Sequence, residues 1–84
     1  MSKINGTPPN EPRLTTYDRA HTATYLRLLD ARDAGATWRE AVLVIFELDP
    51  DSDPTHLEQL HQRHLLRAEW LSREGYHEVL RSGG

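Results

Sequence analysis

Apolar residues recur at the helical period in two long segments of this chain, and glycine and proline cut the sequence between and around them. Leu14, Tyr17, His21, Tyr25, Leu28 and Leu29 fall on one arc of a helical wheel, with Arg19, Arg27 and Asp30 opposite. Thr15 followed three residues later by Asp18 has the form of a capping box, and Gly35 stands where a left-handed residue ends a helix. The spacing predicts one first helix from Thr16 to Ala34.

Thr37 and Glu40 form a second capping box, which opens the run from Trp38 to Glu47. Read alone, the stretch Val42 to Phe46 suits a buried strand. The cap, the Gly35-Ala36 break and the lack of any partner strand favour a second helix instead. It is apolar on almost every side, so it is either sandwiched between neighbours or presents a patch to another protein. Leu48 to Pro54 reads as a turn, because Pro50 and Pro54 bias the residues before them away from helix. Asp53 suits an N-cap and Pro54 the first position of a third helix, which runs to about Arg73 near Gly75. Its main face is Leu57, Leu60, His61, His64, Ala68 and Leu71. Leu66 and Trp70 make a second stripe, for which Tyr76, Val79 and Leu80 of a short final helix would supply cover.

The predicted architecture is all-α with four to five helices, helix-turn-helix-like with an extended turn. Residues 1–13, with Gly6, Pro8, Pro9 and Pro12 among polar neighbours, are expected to be a disordered tail; residues 14–81 form the domain and residues 82–84 a frayed end. At 84 residues without cysteine, the chain has no disulfide, thiol nucleophile or cysteine-ligated metal to draw on, and helix packing or a partner must stabilise it. No apolar run approaches the ~20 residues of a membrane span and the N-terminus lacks a signal-peptide core, so a cytoplasmic monomer is the expectation.

The chemical motifs are few. Asp49-Pro50-Asp51-Ser52-Asp53 resembles the start of a calcium-binding loop, but Pro54 and Leu60 occupy the positions of its glycine and bidentate glutamate. His61 and His64 share a face, yet no carboxylate on it completes a tetrahedral set, and both belong to the expected core arc. No nucleophile, base and orienting group assemble, and four short helices hardly enclose a substrate pocket. Neither an enzyme, a metal nor a cofactor is expected.

Charge is segregated along the chain: residues 1–29 sum to +2, residues 30–58 to −6 and residues 59–84 to +1, giving −3 in all with histidines neutral. Glu47, Asp49, Asp51, Asp53 and Glu58 surround the expected turn and the start of the third helix, where a helix-turn-helix would meet DNA. Carboxylates there repel phosphate, and capping explains Asp53 and Asp51 but not all five. The five form an expected anti-DNA surface. Arg63, Arg67 and Arg73 further along the third helix leave a DNA-binding repressor as the alternative.

Leu26-Arg27-Leu28-Leu29-Asp30, Gly35-Ala36-Thr37-Trp38-Arg39-Glu40, Asp49-Pro50, His64-Leu65-Leu66-Arg67-Ala68-Glu69-Trp70 and Gly75-Tyr76 together resemble the QseM-type antiactivators of proteobacterial integrative and conjugative elements. The similarity spans roughly residues 14–81. It implies an extended-turn helix-turn-helix fold and a regulatory role: binding the N-terminal domain of an FseA-like transcriptional activator, or a LuxR-type quorum-sensing regulator such as TraR, and so blocking conjugative transfer. The chain departs from the basic pattern of DNA-binding relatives at Asp51, Ser52, Asp53 and Thr55. Candidate partner-docking residues are the apolar side chains left over from the core: Leu26, Leu43, Leu66 and Trp70.

Overall fold

The computed structural model describes residues 13–74, so all of the expected N-terminal tail but Arg13, the expected final helix carrying Tyr76, Val79 and Leu80, and the expected frayed C-terminus lie outside the described residues. These fold as four helices with no strand among them: α1 (Thr16–Ala20), α2 (Thr22–Asp33), α3 (Trp38–Val44) and α4 (Pro54–Arg73). The all-α class follows from the helical periods, and the order α3–turn–α4 is that of a helix-turn-helix.

Both capping boxes form. Asp18 N–H donates to the Thr15 hydroxyl while the Asp18 carboxylate accepts from Thr15 N–H, and Thr37 and Glu40 repeat the exchange at α3. Asp53 caps α4 and Pro54 fills its first turn. Gly35 adopts φ 80, with Gly35 N–H on the Arg32 carbonyl and Ala36 N–H on the Ala31 carbonyl, the paired bonds of a Schellman motif.

The single first helix is corrected to two. His21 leaves helical geometry at φ −118, ψ 21. Its ring Nδ1 donates to the Tyr17 carbonyl at 2.8 Å, and its own N–H turns to the Asp18 carbonyl three residues back. The Thr22 hydroxyl donates to the Arg19 carbonyl at 3.4 Å. Side chains thus take up carbonyls at the break, a competition that Thr and polar neighbours invite. α3 is also shorter than expected. Past Val44 the chain leaves the helix, Glu47 takes φ 58, and Leu48 N–H folds back to the Val42 carbonyl at 3.2 Å.

α4 packs against both α2 and α3. One apolar cluster joins Leu28, Val42, Ile45, Phe46, Leu57 and Leu60 between α2, α3 and the first half of α4. A second joins Tyr25, Ala68 and Leu71, with Leu14, Leu26, Leu29 and Trp70 packed around it. Two assignments on the α4 face change: His61 is only half-buried, while Arg67, expected at the surface, is 7% exposed. None of the described helices is long and apolar enough to cross a membrane.

Candidate nucleic-acid interface

α4 is the longest of the described helices, and its first turns pack through Leu57 and Leu60 while exposing Thr55, His56, Glu58 and Gln59 on the outer side. Further along, Arg63, Leu66 and Arg73 are exposed as well. At 100° per residue, His56, Gln59, Arg63 and Leu66 follow one another along a solvent-facing stripe, which the half-buried Trp70 interrupts before Arg73 at its far end.

The flank of α4 beside this stripe is fixed by a buried ionic clasp. Arg67 Nε and Nη2 donate to the two oxygens of Asp18 at 3.0 and 2.7 Å, a side-on bidentate pair between α4 and α1. Arg67 Nη2 also donates to the Arg13 carbonyl at 2.8 Å, and the Tyr25 hydroxyl donates to Asp18 at 2.9 Å. Asp18 is fully buried. Desolvation pushes its carboxyl pKa up, but hydrogen bonds from Arg67, Thr15 and Tyr25 outweigh that push and leave it below the usual 3.8. Burial, then the charge of Asp18, raises Tyr25. The guanidinium lies over the Trp70 ring, 4.5 Å from its centroid. Of the three arginines of the DNA-binding alternative, Arg67 is therefore withdrawn from solvent, whereas Arg63 and Arg73 remain at the surface.

One turn earlier, His64 joins the same two helices. Its Nδ1 donates to the Leu60 carbonyl at 2.7 Å, which leaves Nε2 to accept from the Tyr17 hydroxyl at 2.6 Å. The ring meets Phe46 edge-on with centroids 5.5 Å apart. Burial lowers the His64 pKa, against an opposing pull from the Leu60 carbonyl. Burial lowers His61 as well, opposed by the charge of Glu58. Among the described residues no group of three or more His, Asp or Glu is arranged to hold a metal ion.

The carboxylates of the turn are largely engaged. Asp49 Oδ1 accepts from Asp51 N–H at 2.9 Å, and Ser52 folds back onto the Asp49 carbonyl. Asp51 pairs with Arg39 at 2.6 Å, and Asp53 accepts from His56 N–H. Local hydrogen bonding thus accounts for Asp49 too, which the sequence left unexplained. Glu47 and Glu58 complete the acidic rim, both exposed.

The apolar candidates separate. Leu43 and Leu66 are 57% and 54% exposed, while Leu26 and Trp70 are half-buried in the second cluster. Val44, which sequence reasoning did not single out, is 71% exposed. It lines an open groove of about 400 Å³ between α2 and α3, floored by Ala31, Ala36 and Ala41 and rimmed by Arg27, Asp30 and Glu40. The only sequence signal for it was the all-round apolar character of α3.

No curated protein and no solved structure matches the chain. A family described as "T6SS, Transcription factor, DNA binding domain" (RovC_DNA-bd) matches residues 2–81, nearly the whole sequence. The match spans far more than half of the sequence, and the all-α chain with its α3–turn–α4 order belongs to this family of transcription-factor DNA-binding domains.

Proposed function

We propose that this chain is a transcription regulator that engages duplex DNA through the α3–turn–α4 unit. The family match over residues 2–81 carries the reading. Two features support it: a helix with exposed side chains on its first turns is what a groove-entering helix requires, and Arg63 two turns on and Arg73 at the far end of α4 supply cations along it. Catalysis has no place in this reading. The net charge of −3 makes any DNA contact local rather than a product of the whole field.

A second reading is the QseM-type one, in which the chain occupies an FseA-like or TraR-like activator and silences conjugative transfer. The exposed Val44 on the α2–α3 groove, with the exposed Leu43 next to it in sequence, favours it, as exposed apolar side chains at a groove suit a protein partner. The acidic rim would keep such a complex off DNA.

One mobility-shift series separates the two. The protein is mixed with promoter fragments of type VI secretion genes, alone and then with a candidate activator, across a range of salt. DNA binding predicts a shift by the protein alone that weakens steeply with salt. No shift alone even at low salt, together with loss of the activator's own shift, would overturn DNA binding in favour of the antiactivator.

A further inference from the structure

We infer that base reading falls to the middle of α4, with Gln59 and Arg63 as the specificity-determining residues and an adenine- and guanine-bearing stretch of major groove as their target. The inference rests on the DNA-binding reading above and adds where the duplex sits and what it must contain.

Three observations place it. The stripe His56, Gln59, Arg63, Leu66, Arg73 carries no carboxylate, and its neighbours Thr55 and Gln62 are uncharged. The acids of α4, Glu58 and Glu69, share the flank of Leu65, which packs toward the core; there Glu69 accepts from Arg32 of α2 at 2.7 Å. The other flank is closed by the Arg67–Asp18 clasp to α1. Among the described faces of α4, the stripe is the one left open to a large anionic ligand. Arg63 has no carboxylate partner among the described residues.

The turn sets the position along the stripe. Asp49 and Asp53 sit immediately before the first turn of α4, beside an Asp51 whose charge is offset by Arg39, so phosphates closing on that tip meet a net like charge. Contact is displaced along the helix to Gln59 and Arg63. Their side chains suit base edges: a glutamine amide pairs bidentately with adenine N6 and N7, and a guanidinium with guanine O6 and N7. Four residues of helix advance roughly 6 Å, within two base-pair steps of about 3.4 Å, so the two purines lie on adjacent or next-but-one pairs. Arg73, roughly 15 Å further along, falls to the phosphate backbone.

The test uses the full chain. Duplexes with a randomised centre are selected by gel shift, and the recovered site is titrated by fluorescence anisotropy against variants with unchanged thermal melts. Arg63→Ala is expected to bind the site about tenfold more weakly and to lose its guanine preference, and Gln59→Ala to lose the adenine preference. Arg73→Ala should weaken all sequences alike and reduce the salt slope by about one. If the wild type selects a site and Gln59→Ala and Arg63→Ala read it unchanged, or if Thr55→Ala and His56→Ala abolish the preference in their place, the inference is overturned while DNA binding stands. A wild type that retains no duplex at any salt overturns both.

Discussion

Asp18 and Arg67 lie 49 positions apart in sequence and meet inside the domain, where Thr15, Tyr25 and the Arg13 carbonyl complete their hydrogen bonding. Removing one member strands the other in a site with little water, which typically costs about 3–5 kcal/mol. Asp18→Asn and Arg67→Ala are each expected to lower the urea midpoint accordingly, and a loss under ~1 kcal/mol in either would contradict the clasp. Glu47 presents the opposite case. Its φ of 58 lies in the left-handed region, where a side chain costs roughly 1–2 kcal/mol, so Glu47→Gly is expected to stabilise the fold by up to about 1 kcal/mol in the same assay. The sequence disclosed Asp18 as a cap but not as an ionic anchor. Arginine at position 67 invites a surface assignment by type, although it shares the sector of Leu60, His64 and Leu71; the position held the signal and the residue type obscured it.

At the level of the elements, the capping residues were legible because each satisfies backbone donors within its own few residues. Thr15, Thr37 and Asp53 all cap as their spacing predicts, and Gly35 closes α2. Asp53→Ala is expected to cost about 1 kcal/mol by loss of the α4 cap. Thermal denaturation with circular dichroism checks it; an unchanged melting temperature would mean that the 3.4 Å contact contributes nothing. The division of the first helix at His21 was less legible. It depends on Thr22, and on His21 itself, diverting carbonyls that the apolar period alone would assign to an unbroken helical ladder. The candidate site divides the same way. The acidic turn was read from charge alone, whereas Arg39 on Asp51 and the Asp49 turn bond needed the folded chain to bring them together.

At the scale of the whole molecule, His64, His61 and Asp18 are groups among the described residues whose burial ties stability to acid pH. His64 and His61 sit below the usual 6.5 because burial disfavours their charged forms, so the unfolded chain takes up protons more readily. Their contribution is fully present above that value and is lost as pH falls through 6.5 toward the lowered folded values. Asp18, also lowered, adds a second loss as pH falls below 3.8. Denaturant midpoints followed from pH 8 downward should be level at first and then decline in these two stages, and His64→Gln should flatten the upper one. A midpoint that rises on acidification would reverse the assignment.

The clasp between α1 and α4 also bears on how such a sequence can change over generations. Either half altered alone is harmful, yet a well-packed nonpolar replacement of both can match or exceed the original in stability. Positions 18 and 67 are therefore expected to drift as a couple, passing between ionic and oily versions through rare paired exchanges. A library randomising both sites at once should recover folded members that no single-site library contains.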